Sequence, residues 1–481
     1  MSTTERPLPP EPLPDFPGFT TLDSEVSVDR LPIRGNLPDW LSGTMIRNGP
    51  AKFEVGDYRL THWFNGLAML HAFSFTEGKV SYANKFLRTK AYDEAMNNGR
   101  LYGKQFGIDP CRELFGRHFA EYSPNITDNV NVNVARVADR YLAFAEQPLT
   151  VEFDPRSLDV VGELTFDNQV SGETSSPHPQ IDFDRGVLLN YTTTMRDAAA
   201  YQVFAIPRDK TEQRLLAVVP TDEACYMHSF AHTENYVVLV EFPVVIDRER
   251  FLEADKPFLE CFQWRPDRGT RFLVVDKREG TLVRTFESTA FFAFHHVNAF
   301  ESGGDILIDI AATQHPYETV LGLPATAAQF DLPAYGYQVR RYRLSMSGGV
   351  EWEQLADAGV EMPRMNYERF STKPYRYCYG LGHSPRSLRA MNRLLKLDYE
   401  SGTHQAWYEK GCFPGEAVFV PRPGATVEDD GVVLSVVLDA KIGRSFLLVL
   451  DGPSFTEVAR AQVPHHIPND FHGQYFADLG R

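Results

Sequence analysis

Apolar and polar positions alternate with a period of two along most of this chain. Short runs rich in Val, Ile, Phe, Tyr and Thr end in turns built from Asp, Glu, Gly or Pro. One unit recurs: an apolar strand, an acidic or glycine-containing turn, and a second strand that leaves. Seven such hairpins are readable, at residues 71–87, 149–166, 202–219, 271–287, 339–356, 393–409 and 446–463. Their turns include Glu77-Gly78, Asp154-Pro155 and Asp451-Gly452, and before them GTMIRNGP (43–50) reads as a short strand ending in a turn at Asn48-Gly49. Successive turns lie roughly 50–80 residues apart, and a four-stranded propeller blade takes about 40–50 residues, more with insertions. The pattern therefore predicts an all-β protein, a seven-bladed β-propeller occupying residues 21–481 as one domain. The period breaks at residues 89–100 and 112–122, which are amphipathic at helical spacing, with Asp109-Pro110 as a helix start. They are too few for a separate domain. They fit a small helical cap over one face (about 89–122), and an ordinary surface insertion equally well. Residues 1–20 are proline-rich and predict an extended or disordered arm.

Composition adds exclusions. With 481 residues, 43% hydrophobic and 23% charged, the chain is long enough for one large all-β domain. No apolar run reaches the ~18 residues that a spanning helix needs. The first residues lack the apolar core of a signal peptide. A net charge of −16 argues against a nucleic-acid partner, which requires a basic face. The five cysteines show no CxxC spacing, which fits free thiols in a reducing, cytoplasmic setting.

The candidate chemistry lies in histidines. Residues 291–301, FFAFHHVNAFE, read as a strand, so His295 and His296 point to opposite faces and only one can serve a given site. A single histidine on an apolar strand is more often a core residue than a ligand. Three comparable placements change that balance. His178 lies between prolines in SSPHPQ, His228 precedes a long apolar strand, and His472 lies in NDFHGQY. The spacings of 50, 67 and 177 residues are not those of a local metal motif. In a propeller, however, each blade's innermost strand borders the axis, so single histidines from different blades can converge there. Nearby pairs cannot substitute: His228 and His232 would stand about 13 Å apart along a strand. Four neutral imidazoles without a carboxylate suit iron, zinc, copper or nickel. Ligand histidines usually donate their second ring N–H to a carboxylate. Glu146, Glu361 and Glu416 lie in apolar contexts and are the candidates, with solvated strand edges as the alternative.

At this point the motifs resemble the carotenoid cleavage oxygenases over nearly the whole chain. The matching pieces, in family order, are GTMIRNGP, HWFNGLAMLHAF, TDNVNVN, SSPHPQID, MHSFAHTENY, FAFHHVNAFE, EMPRMNY, PGEAVFV and FHGQY. The resemblance implies a non-haem Fe(II) on the propeller axis held by His178, His228, His295 and His472. It further implies that Glu146 holds His228, Glu361 holds His295 and Glu416 holds His472, leaving His178 without a glutamate. FLRTKAYDEAMNNGRL and IDPCRELFGRHF look most like the animal β-carotene oxygenases and retinoid isomerase. In that group the segment matching 102–120 docks on membranes, here offering Leu114, Phe115 and Phe119, and Cys111 matches a cysteine that some relatives acylate. Two positions depart from pattern. Asn65 stands where the family usually has Asp, and Ala145 stands where stilbene-cleaving relatives carry Lys.

The implied reaction is cleavage of a conjugated C=C bond by O2 into two carbonyls, with a hydrophobic polyene such as β-carotene or an apocarotenoid as substrate. Tyr102 and Phe106 are candidates for the tunnel lining. The competing readings are a retinoid isomerohydrolase on the same iron, a dioxygenase for another alkene, and a metal-free binding scaffold. Location is expected to be cytoplasmic with peripheral membrane contact. Oligomeric state and the bond cut are not encoded in these motifs.

Overall fold

The structure is a computed structural model. It describes residues 17–107, 126–196, 198–252, 257–314, 336–383 and 391–479. Among these, seven sheets of four or more strands form the blades of a β-propeller. Each predicted hairpin is the outer strand pair of one blade. Thr150–Phe153 with Val160–Glu163, and Thr270–Asp276 with Leu282–Ser288, are two examples.

The ring closes through both ends of the described chain. Strand His472–Phe476 is the innermost strand of the first blade and pairs antiparallel with Gly43–Lys52, Asn48 lying opposite His472. At the outer rim, Ser27–Val28 adds to the first blade and Ile33–Gly35 adds to the last. The start of the described chain therefore ties the first blade to the seventh.

Blades pack face to face, so the second strand of a blade has no solvent side. All nine residues of Gly431–Asp439 are buried. The outer strand Lys79–Phe86 instead alternates between buried and more exposed positions. The core lies between blades: Met45, Phe73 and Phe75 of the first pack against Val432, Leu434 and Leu447 of the seventh.

Several local readings need correction. Asn48-Gly49 does not form a turn; Gly43–Lys52 is one continuous strand. Gly49 is required there because a Cβ would meet the Asp470 Cα at 2.5 Å, so the glycine serves a close backbone approach. The strand expected over 291–301 begins only at His296. Pro17–Phe19, the end of the expected arm, forms a 3-10 turn, and Phe19 packs edge-on against Phe53 and Trp63. Residues 1–16 lie outside the described residues. Helix Lys90–Asn98 forms where the first helical pattern was read. The second stretch, 112–122, lies outside the described residues, with Cys111, Leu114, Phe115 and Phe119.

Candidate metal centre

Four histidines from four blades meet on the axis. His178 lies between the two short inner strands of the third blade, Thr174–Ser175 and Gln180–Asp182. His228 precedes the inner strand of the fourth, His295 precedes that of the fifth, and His472 opens that of the first. Their six ring-to-ring distances run from 4.4 to 6.5 Å. One nitrogen from each lies within 4.8 Å of the other three.

Backbone contacts lock the segments. The Ser176 hydroxyl donates to the His228 carbonyl at 2.7 Å, and the Ser229 hydroxyl donates to the Phe294 carbonyl at 2.6 Å. His296 points away from the cluster, with Nδ1 on the Ser229 hydroxyl at 2.8 Å.

Three glutamates set the tautomers. His228 Nδ1 donates to Glu146 Oε1 at 2.5 Å, His295 Nδ1 to Glu361 Oε1 at 2.8 Å, and His472 Nδ1 to Glu416 Oε1 at 2.8 Å. With Nδ1 protonated, Nε2 carries a bare lone pair. The His295 and His472 Nε2 atoms stand 3.2 Å apart, and those of His178 and His228 2.9 Å apart. Two lone pairs at 3.2 Å repel; they do not hydrogen-bond. Two nitrogens each about 2.1 Å from one ion would sit close to that spacing. The donor set thus fits a divalent cation. Burial, opposed by Glu146 beside His228 and by Glu416 beside His472, keeps these two imidazoles below their ordinary pKa, with His472 at about 3. Burial lowers His178 as well, with no carboxylate to oppose it. The neutral form is the one that binds metal.

Of the glutamates, Glu361 opens strand Glu361–Arg364 and Glu416 lies between Cys412–Pro414 and Val418–Pro421. Glu146 lies in the loop after Arg140–Phe144, outside any strand. Residues that the sequence reading passed over complete the surroundings. Arg47 is buried and forks onto Asp470 at 2.7 and 2.8 Å while its Nη1 reaches Glu416 Oε2 at 2.5 Å. The Tyr226 hydroxyl donates to Glu146 Oε1 at 2.5 Å. Both had a signal: a lone Arg in an apolar strand needs a partner, and Tyr226 is two residues before His228, so on its face in extended chain.

Above the cluster is a chamber of about 780 Å³ walled by Phe64, Phe106, Phe294, Phe471 and Val132, with His228, His295 and His472 in its floor. Phe64 packs at a tilt against Phe106 and edge-on against Phe471, with ring centroids 4.8 and 5.0 Å apart. Tyr102 is not among the described lining residues; Phe106 is. Asn65 also lines it, and its Oδ1 accepts from the backbone N–H groups of Phe106 and Gly107, pinning that wall. No helix among the described residues is long and apolar enough to cross a membrane.

The family described as retinal pigment epithelial membrane protein matches residues 19–477. The carotenoid-cleaving dioxygenase, mitochondrial, of Mustela putorius furo is 32% identical, over 95% of this chain and 96% of the relative. The human beta,beta-carotene 15,15'-dioxygenase is 30% identical, over 94% of this chain and 92% of its own. Among solved structures, cobalt-substituted Synechocystis ACO superposes with a TM-score of 0.84 at 27% identity, over 96% of this chain and 98% of that one.

Proposed function

Because the chain belongs to the carotenoid oxygenase family, we propose that it is a non-haem Fe(II) dioxygenase acting on a carotenoid or apocarotenoid. It cleaves one conjugated C=C bond with O2, each carbon taking one oxygen, and yields aldehydes such as retinal. One observation carries the reading: four imidazole nitrogens, three with their tautomer set by a glutamate, converge beneath an apolar aromatic chamber.

His178, His228, His295 and His472 would hold Fe2+, which would supply a redox-active Lewis acid. The chain's own residues do the rest. Glu146, Glu361 and Glu416 fix three rings and raise their donor strength. Phe64, Phe106, Phe294 and Phe471 offer an apolar wall that binds a polyene and excludes water. No side chain is needed as an acid or base, since the polyene presents no proton that must move. Location in the cytoplasm, with peripheral membrane contact through residues 102–120, is part of this reading.

The test is metal analysis of the purified protein, then incubation of the Fe(II) form with β-carotene and shorter apocarotenals under ¹⁸O₂. Two carbonyl fragments carrying label are expected, and His228→Ala should abolish iron occupancy. An isomerised, unlabelled alcohol would replace this reading with the isomerohydrolase. Absence of metal, with no effect of His295→Ala, would replace it with a scaffold.

A further inference from the structure

Beside the chamber lies a second cavity of about 610 Å³, set against blades six and seven. Leu381 and Met391 line it from the sixth blade, Phe413, Val436 and Leu438 from the seventh, and Ile467 closes it. All six side chains are buried and apolar. Its two carboxylates are already engaged: Asp470 holds Arg47, and Glu361 holds His295 and the Met362 N–H. Among the described residues, Trp63, Glu361 and Met362 line both spaces. Trp63 is anchored, since its Nε1 donates to the Asn469 carbonyl at 2.9 Å and its ring lies 4.6 Å from that of Phe471. Met362 is held differently. It sits at φ +49°, a left-handed backbone that is costly for a residue with a Cβ, where strand Glu361–Arg364 shifts register. The break leaves its side chain bordering both spaces. An unbranched thioether with three rotatable bonds suits a partition that gives way.

Cleaving a bond inside a polyene requires chain on both sides of the reacting atoms. The chamber has His228, His295 and His472 in its floor, and the second cavity begins at Glu361, the partner of His295. We propose that the second cavity receives the leading end of the polyene, the end that passes the histidines first. Met362 is the gate it passes, and the depth behind that gate selects the bond that is cut. This rests on the polyene reading above and adds a specificity determinant to it. The substrate class that follows is a polyene whose leading end is hydrocarbon, because the cavity offers it apolar walls and no free polar side chain is needed to hold it.

The probes are apocarotenals lengthened by one isoprene unit at a time. Two variants are compared with the unmodified protein. Met391→Trp fills the second cavity from a wall that the chamber does not share, and Met362→Phe stiffens the gate. Binding to the Fe(II) protein is measured without O2, as polyene absorbance retained with the protein on gel filtration; the products are then identified under O2. In the unmodified protein affinity should rise with length by about tenfold or more per unit, until the second cavity is full. Each variant should end that rise at least one unit earlier, bind the shortest probe as before, and move the cut toward the leading end by one or more double bonds. Unchanged binding of the shortest probe shows that a variant is folded, and one such variant suffices. An unchanged length dependence in both variants overturns the proposal. A shifted length dependence with the same bond cut overturns the link to bond choice. Loss of the shortest probe in both variants also overturns it, and means that these side chains serve packing alone. Failure of every probe to bind the unmodified protein removes the polyene reading itself, a different outcome from these.

Discussion

Removing Arg47 should disable the site from a distance. This guanidinium is 1% exposed and serves two carboxylates, Asp470 through its Nε/Nη2 edge and Glu416 through Nη1, as well as the Phe471 carbonyl at 2.8 Å. Burial alone would raise the Glu416 pKa; Arg364, His472 and Arg47 together hold it well below the ordinary carboxylate range. Asp470 stays raised, because burial outweighs Arg47 there. Arg47→Met keeps the apolar stem, leaves Asp470 without its cation and leaves Glu416 to Arg364. Breaking one partner from a buried pair costs about 3–5 kcal/mol. With an unfolding entropy of about 2.1 cal/mol/K per residue, 481 residues give about 1.0 kcal/mol/K, so the melting temperature should drop by about 3–5 °C. Glu416 would also lose its anchor, and metal affinity should fall by about 10–100-fold, the usual effect of losing a ligand's outer partner. Calorimetry and chelator competition read the two effects. Adding Asp470→Leu removes one orphaned charge and should recover part of the stability. A melting temperature within a degree of the parent, with unchanged metal retention, would refute the reasoning.

Three further outcomes follow. Burial, reinforced by Lys277 at His232 and by His295 at His296, lowers the pKa of each to about 3, against ~6.5 unfolded. The unfolded chain therefore binds more protons between pH about 6.5 and 3, and stability should fall as pH drops through that window, by up to about 2.7 kcal/mol per pH unit for the pair. Urea midpoints against pH check this, and His232→Asn should lower the slope by up to about 1.4 kcal/mol per pH unit, the other buried histidines such as His71 keeping the rest. Glu361→Gln should keep part of the iron and lower turnover by about 10–100-fold, seen by metal analysis alongside rates. Asn65→Ala strips the acceptor from the Phe106 and Gly107 N–H groups, so the chamber wall should loosen; faster proteolysis near residues 102–107 and a raised KM are expected, with Asn65→Asp restoring both.

What the sequence made legible follows from which side chains meet water. Outer strands such as Lys79–Phe86 carry one wetter face and keep the period of two, so all seven outer hairpins could be read. Second strands such as Gly431–Asp439 are sandwiched between blades and lose the alternation. Asn48-Gly49 misled because the same dipeptide serves a turn and a close backbone contact, and only the facing chain distinguishes them. The histidines were found by their placement at strand ends, and their wide spacings made sense because each blade consumes roughly 50–80 residues of chain. Tyr226 and Arg47 were passed over because their partners, Glu146 and Asp470, are 80 and 423 residues away.

The innermost strands were the hardest to read, and their irregularity has a physical reason. A regular strand in a blade sends its side chains alternately to the two neighbouring blades, not along the ring's radius. A residue that must face the axis therefore needs the pleat to break. The breaks fall at the site: His178 between two short strands, His295 just before its strand, and Glu416 between two more. The strand that Glu361 opens shifts register between Glu361 and Arg364, with Met362 at φ +49°. His296, the first residue within the regular strand, points away and bonds to Ser229. In the adjacent pair the histidine before the strand reaches the axis and the one inside it joins the core between blades, while His472 reaches the axis from the very end of its strand. Metal-facing side chains in such a ring should be sought where the inner strand fails, which is where period-two patterns are weakest.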